Sequence, residues 1–306
     1  MKIKLMADST CDLSNEIIEK YDISIIPLIV NIDGQEFRDR LDIQTDEFYN
    51  NLETFKNHPT TSMPSPNSFI SSVKEAELKG YDEVLCICMS SGTSGSYQSA
   101  IIAQEMFRTT YPELKIRFEV IDSVSMSHGS GWIVMKCAEL RNGGYSLDQL
   151  IQYCECIKYR IKHFLSVDDL DNLIRSGRIS ASSAIIGKAL GIKPIMSMKN
   201  TKGTVITKKR GHKQVLNYYV EEFAKRVDYE QTSFIIIGYT SDIQRAENLK
   251  NKLKNETSFN GDIYIMQMGV AVGTHVGLGG LSMFFAERPH GDFIQHVKDI
   301  IINRIK

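Results

Sequence analysis

The segment MSSGTSGSYQSA, Met89–Ala100, joins a short apolar run to an amphipathic one and decides the fold class. The residues before it, Glu83–Met89 (EVLCICM), have the length and composition of a buried strand. The residues after it, Tyr97–Phe107, carry apolar side chains at near-helical spacing. A strand that passes through a polar, glycine-containing turn into a helix is typical of an α/β protein.

Hydroxyl groups crowd this turn at the point where the helix begins. Ser94 lies among them, between Gly92 and Gly95, whose backbones reach conformations closed to bulkier residues. A helix N-terminus has unpaired N–H groups and a partial positive charge, so it attracts an anion. The same hydroxyls are also what a helix needs as caps. The segment by itself leaves both interpretations open.

The first half of the chain alternates strands with helices, which predicts a mainly parallel sheet. Its predicted strands are Ile3–Ala7, Ile23–Val30, Glu83–Met89 and Ile116–Asp122, and its predicted helices are Glu16–Tyr21, one starting at Thr45, one starting at Pro66, Tyr97–Phe107 and Ser127–Asn142. Pro27 places the second strand at a sheet edge. Gly143 and Gly144 end the last helix and fit a domain boundary, which gives a first domain of residues 1–145.

The second half, residues 146–306, has the same α/β character. It begins with a capping box at Ser146 and Gln149. Its predicted strands are His163–Val167, a hairpin of Ile195–Met198 with Thr204–Lys208, Ser233–Tyr239 and Asp262–Met268. Its predicted helices are Asp168–Ser176, Gln214–Val227, Asp242–Asn255 and a C-terminal helix, Asp292–Lys306. The glycine-rich stretch Met268–Phe285 surrounds His275, and such glycine density indicates close approach to another group.

Composition excludes several classes of partner. The 306 residues carry 36 basic and 37 acidic side chains, so no global field attracts nucleic acid or an anionic membrane. No apolar run reaches the ~18 residues of a transmembrane helix, and Met1–Ala7 resembles a strand more than a signal peptide. These features predict a cytoplasmic protein. The six cysteines lack metal-ligand spacing, so we expect buried free thiols and no metal.

Three predicted loops carry hydroxyls or a histidine: Thr61 with Ser62, Ser94, and His275. One interpretation is a serine hydrolase or esterase with Ser94 as nucleophile and His275 as base. The G-x-S-x-G match fails at its last position, Ser96, and an orienting acid such as Asp242 has no support in the sequence. The Thr60–Ser62 hydroxyls also have a plain interpretation as a turn that caps the following helix.

The competing interpretation is a site that binds a carboxylate. A carboxylate removed from water costs several kcal/mol unless it is hydrogen-bonded. Ser, Thr and His side chains and helix-end N–H groups provide short charge-assisted bonds, and no catalytic group is required. We therefore expect binding chemistry, with no catalytic residues in this chain.

Five short motifs also resemble one known family. They are ADSTCDLS (Ala7–Ser14), TTSMPSP (Thr60–Pro66), SSGTSGSYQSA (Ser90–Ala100), SGRIS (Ser176–Ser180) and GTHVGLGG (Gly273–Gly280). Their identity and order resemble those of the DegV family, whose members include the fatty-acid-binding subunits of bacterial fatty acid kinase. Met63, Thr93, Ser96 and Leu278 depart from the family pattern, and the candidate hydrogen-bond donors are retained.

The resemblance implies two α/β domains, the first with a mainly parallel sheet and Rossmann-like layering. It implies a long-chain fatty acid in an apolar tunnel of the first domain, with its carboxylate at the domain interface. Thr61 or Ser62, Ser94 and His275 would hold the carboxylate, with Arg210 as a nearby cation. The bound fatty acid would be the ligand, and no cofactor is implied.

The resemblance further implies an ATP-dependent kinase subunit as partner, which would phosphorylate the bound acid to an acyl phosphate. The chain has no G-x-x-x-x-G-K-[ST] motif, in agreement with an ATP site on the partner. Arg175 and Arg178 lie where the family has a basic surface that could contact the kinase. The plain alternative is that their charges stabilise a helix C-terminus.

Overall fold

The computed structural model describes residues 1–168, 170–179, 191–199 and 201–289. In chain order the described strands are β1 (Ile3–Asp8), β2 (Ile23–Ile26), β3 (Ile29–Ile32), β4 (Gln35–Arg38), β5 (Thr60–Ser62), β6 (Glu83–Cys88), β7 (Arg117–Asp122), β8 (Ile161–Ser166), β9 (Ile192–Lys199), β10 (Lys202–Arg210), β11 (Phe234–Tyr239), β12 (Asp262–Gln267) and β13 (Leu281–Ala286). The described α-helices are α1 (Asn15–Lys20), α2 (Thr45–Asn51), α3 (Pro66–Leu78), α4 (Ser96–Thr110), α5 (His128–Asn142), α6 (Leu147–Ile157), α7 (Asp171–Arg175), α8 (Gly211–Arg226), α9 (Ile243–Glu256) and α10 (Val270–Val276). The predicted helix Asp292–Lys306 lies outside the described residues.

A four-stranded parallel sheet organises the first half of the chain, with strand order β2-β1-β6-β7. Helices α3 and α4 cover one face, and α5 and α6 cover the other. Every residue of β6 is buried, as expected for a strand covered on both faces. The predicted α/β class and the mainly parallel first sheet are confirmed.

A mixed six-stranded sheet, ordered β10-β9-β8-β13-β11-β12, organises the second half. Helices α8 and α9 pack on one face, and α5 packs between the other face and the parallel sheet. Residues 128–138 of α5 are buried apart from Lys136, as expected for a helix between two sheets. The Trp132 Nε1–H donates to the Phe234 carbonyl oxygen at 3.1 Å, which ties α5 to β11.

A small antiparallel sheet, ordered β4-β3-β5, corrects two predictions. The single strand predicted over Ile23–Val30 is wrong, because it divides at Pro27 into β2 and β3, which belong to different sheets. Proline has no N–H for a ladder, and the next N–H, of Leu28, bonds to Ser9 Oγ at 3.0 Å. Thr60–Ser62, predicted as a turn, is strand β5 and pairs with β3. The edge position of β2 is confirmed.

Local signals are confirmed at several helix starts. Ser14 caps α1, Ser65 caps α3 with Pro66 at its first position, and Ser146 with Gln149 forms the capping box of α6. All six cysteines are free, as predicted, but the expectation that all are buried is wrong for Cys156, which is exposed on α6. No described helix is long and apolar enough to cross a membrane. The division at residue 145 stays a prediction.

Candidate functional site

A cavity whose empty space, including the part open to solvent, is about 830 Å³ lies where the carboxyl ends of β1 and β6 meet one face of the mixed sheet. Four methionines contribute to its mostly apolar wall: Met89, Met126, Met196 and Met268. Because methionine side chains are flexible and polarisable, this wall can adapt its shape to a ligand.

Thr61 and His275 meet at the cavity wall. Thr61 Oγ1 lies 2.8 Å from His275 Nε2, within hydrogen-bond distance. Thr61 pairs with buried Val30 of β3, whereas Ser62 is exposed and does not line the cavity. Successive side chains of a strand point to opposite faces, so β5 directs only the first of these two hydroxyls inward. His275 lies on helix α10, so the prediction of a loop at this position is wrong.

Ser94 lines the same cavity beside Thr93, in the turn between β6 and α4. Its Oγ lies 3.0 Å from Ser96 Oγ and accepts from the Ser96 N–H at 3.2 Å. Gly95 occupies the N-cap position of α4 and offers no side-chain cap. Ser94 therefore serves the start of the helix and faces the cavity as well.

The described residues do not form the hydrogen-bonded series of serine, histidine and acid that the hydrolase interpretation requires. Within the described residues, Ser94 and His275 line one cavity but share no hydrogen bond, and His275 Nδ1 is buried without a partner. Asp242 instead caps α9 and binds Arg245. Because a catalytic histidine needs both a nucleophile and an orienting partner, this arrangement favours binding over hydrolysis.

The three predicted arginines occupy different places. Arg178 lines the cavity, and its Nη1 donates to the Ser176 carbonyl oxygen at 2.6 Å. Arg175 is exposed at the end of α7. Arg210 is exposed at the end of β10 and does not line the cavity. The structure therefore brings Arg178 to the site, in place of Arg210.

His275 is a neutral group at physiological pH. Burial, with smaller contributions from the charges of Arg178 and His58, lowers its pKa to about 3. A neutral imidazole donates from one ring nitrogen and accepts at the other. The positive charge at this end of the cavity therefore comes from Arg178, and the Thr61–His275 pair contributes directional hydrogen bonding.

Sequence reasoning missed the opposite wall of the cavity. His163 of β8 and Phe284 of β13 face it from paired positions, with an edge-to-face ring separation of 5.3 Å. Burial lowers the pKa of His163 to about 3, so this imidazole is also neutral. Thr10 and Ser127 line the cavity too. Strand β13 is buried throughout and shows no alternation of polar and apolar residues, so the sequence carried no pattern that identified this wall.

Comparison with known proteins places this architecture in a family. A family model described as "Uncharacterised protein, DegV family" matches residues 2–288. The chain belongs to the DegV family. A DegV domain-containing protein of Caldanaerobacter subterraneus subsp. tengcongensis is 34% identical over 288 residues, covering 94% of this chain and 99% of that protein.

Solved DegV-family structures have the same fold. One, reported as "Fatty Acid Binding of a DegV family Protein from Thermus thermophilus", has a TM-score of 0.84 and 27% identity, covering 94% of this chain and 100% of that chain. The Streptococcus pneumoniae Fatty Acid Kinase (Fak) B3 protein loaded with linoleic acid has a TM-score of 0.79 and 20% identity, with the same coverage. The second similarity establishes the fold alone.

Proposed function

We propose that the cavity binds a long-chain fatty acid, with the carboxylate at Thr61, Ser94 and His275 and with Arg178 as the counter-charge. The proposal rests above all on the Thr61–His275 hydrogen bond beside Arg178 at the edge of a mostly apolar cavity. Hydroxyl and imidazole groups can donate to the carboxylate, while methionines and Phe284 contact the chain. The Thermus relative, which is named for fatty acid binding, supports the same ligand class.

The side-chain chemistry fits a single negative charge on a long apolar body. Burial of each methylene contributes about 0.8 kcal/mol, whereas an unpaired carboxylate removed from water costs several kcal/mol. The guanidinium of Arg178 and the neutral donors offset that cost. The donor set therefore fixes the head group, and the apolar wall provides most of the affinity.

We further propose that this chain is a carrier which presents the fatty acid to a separate ATP-dependent kinase subunit. A carboxylate oxygen would attack the γ-phosphorus of ATP, the bond to the bridging oxygen would break, and ADP would leave, giving an acyl phosphate. The family motifs support this step, and so does the shared fold with the pneumococcal fatty acid kinase B3 protein. Exposed Arg175 is a candidate contact for that partner.

Native mass spectrometry of the gently purified protein tests the ligand. We expect an added mass of one fatty acid of about 14 to 18 carbons, a length that the family resemblance implies and that is consistent with burial of methylenes at about 0.8 kcal/mol each. Removal of lipid followed by titration with palmitate should restore the same complex. A protein that is empty after purification and does not bind palmitate would refute the proposal.

Two arginine variants separate binding from presentation. Arg178→Ala should weaken palmitate binding, because it removes the counter-charge at the cavity wall. Arg175→Ala should leave palmitate binding unchanged and lower the rate of acyl phosphate formation with a fatty acid kinase subunit and ATP. Equal effects of the two variants on palmitate binding would contradict these separate roles.

A further inference from the structure

The helix that carries His275 has no side-chain cap of its own. α10 is only seven residues long, and its N-cap is Gly269. The first N–H groups of a helix have no partner within the helix. Asp12 Oδ1 accepts from the Gly269 N–H at 2.8 Å. The backbone N–H groups of Val270 and Ala271 lie close enough to the carboxyl group of Asp39 to lower its pKa, against the larger effect of burial. Asp12 therefore supplies the cap, and Asp39 lies beside the first turn.

The same two carboxyl groups hold the walls of the cavity. Asp12 Oδ2 accepts from Ser127 Oγ at 2.6 Å, and Ser127 lines the cavity at the start of α5. Asp39 Oδ2 accepts from Ser9 Oγ at 2.7 Å, and Ser9 Oγ accepts from the N–H of Leu28, another lining residue. Asp12 and Asp39 are only 2% and 1% exposed. These hydrogen bonds link the cavity wall to the first turn of α10.

Close packing leaves α10 little freedom to adjust. A Cβ on Gly269 would lie 2.7 Å from Asp12 Oδ1, and a Cβ on Gly273 would lie 2.3 Å from Tyr49 Oη. The Tyr49 hydroxyl donates to the Met268 carbonyl oxygen at 2.9 Å. A seven-residue helix extends about 10 Å, so displacement of its first turn is transmitted to His275 at its other end.

We propose that Asp12 and Asp39 are positioning residues for the head-group site, and that they act by fixing α10 so that His275 meets Thr61 and the bound carboxylate. The inference rests on the proposed fatty acid site. Neither carboxyl group contacts the ligand in this account. Their substitution should therefore weaken ligand binding by no more than the loss of the His275 side chain does.

A double-mutant cycle tests this positioning role. Palmitate affinity is measured for Asp12→Ala alone, for His275→Ala alone and for the double variant. We expect Asp12→Ala to weaken binding about 3- to 30-fold, a range set by the loss of one helix cap, and not more than His275→Ala does. In the His275→Ala background, the same change should have less than about a 2-fold effect. Equal effects in both backgrounds would overturn the proposal.

Two further variants separate positioning from general destabilisation. Asp12→Asn keeps an oxygen that accepts from Gly269 and an amide that donates to Ser127, so it should restore most of the affinity lost in Asp12→Ala. Asp42→Asn changes an exposed carboxyl group that binds Arg38 and should leave affinity unchanged. Failure of Asp12→Asn to restore affinity, with a folded protein, would contradict the hydrogen-bonding role.

NMR of the histidine rings gives a readout that needs no ligand. Gly269→Ala disturbs the same contact from the helix side, so it serves if Asp12→Ala does not fold. We expect either variant to shift the ring signals of His275 in the lipid-free protein, and unchanged signals would refute the proposal. If the wild-type protein fails to bind palmitate while these shifts occur, the proposed function is wrong and the positioning of His275 stands.

Discussion

The hydroxyl of Thr61 provides the sharpest single-atom test of the head-group site. Thr61→Val replaces the hydroxyl by a methyl group of similar size and leaves the β-branched shape of the side chain. The change removes the hydrogen bond between Thr61 Oγ1 and His275 Nε2, which are 2.8 Å apart. Since His275 Nδ1 already lacks a partner in the described part of the chain, the imidazole loses its only described side-chain hydrogen bond.

The expected loss of affinity follows from the contact of the hydroxyl with the carboxylate, which in our proposal forms only in the complex. The bond to His275 is present in the lipid-free protein as well, where it orients the imidazole. Loss of a hydrogen bond that leaves a buried polar group unpaired costs about 1–3 kcal/mol. That range corresponds to a dissociation constant for palmitate raised by about 5- to 150-fold.

Isothermal titration of the lipid-free protein with palmitate near neutral pH measures this effect, since the imidazole is neutral there. Ser62→Ala is the matched control, because it removes the adjacent hydroxyl of the same strand, which is exposed and outside the cavity wall. The control should bind palmitate as the wild type does. An unchanged constant for Thr61→Val, or an equal loss in Ser62→Ala, would refute the reasoning.

Three further predictions concern the turn, the buried acids and the hairpin. Ser94→Ala should weaken palmitate binding by about 1–3 kcal/mol; an unchanged dissociation constant would remove Ser94 from the site. Burial raises the pKa of Asp12 from 3.8 to about 8, so the folded state binds more protons and its stability falls as pH rises between these values, by up to about 1.4 kcal/mol per pH unit. Asp12→Asn should make the free energy of unfolding, measured with urea, depend less on pH. An equal pH dependence in the variant and the wild type would contradict this prediction. Gly92→Ala would place a methyl group 2.6 Å from the Thr201 carbonyl oxygen, so it should destabilise the fold by about 1–3 kcal/mol; an unchanged melting temperature would argue against this packing.

Local sequence signals were sufficient for most of the first half of the chain. The apolar run at Glu83–Met89 became a central strand because both of its faces are covered by helices. Ser65 followed by Pro66 started a helix because the serine hydroxyl and the fixed proline backbone suit those two positions. Such signals depend on neighbours in the chain, so they can be recognised without knowledge of tertiary contacts.

The segment Met268–Phe285 could not be assigned from pattern because its composition is set by tertiary contacts. Gly269 and Gly273 are small so that Asp12 and Tyr49 can approach the backbone of α10. Strand β13 lies inside the mixed sheet and is buried throughout, so its apolar residues do not alternate with polar ones. The local sequence pattern of Met268–Phe285 therefore identified neither helix α10 nor strand β13.

The sequence alone also could not identify which arginine lies at the cavity. Arg210 ends the basic run Lys208–Arg210 and Arg178 follows Gly177, and neither pattern indicates a cavity wall. Only the folded arrangement separates them, because Arg178 lies on the cavity wall and Arg210 lies at an exposed strand end. In contrast, Thr61, Ser94 and His275 were all predicted, and the structure places all three on one cavity.

A crystal structure of the palmitate complex tests the central proposal most directly. We predict electron density for the carboxylate within hydrogen-bond distance, about 2.7–3.2 Å, of Thr61 Oγ1 or His275, close to Ser94. The acyl chain should continue between Met126 and Phe284. Density for the carboxylate at Arg210 or elsewhere on the surface, with the cavity empty of acyl chain, would contradict the account.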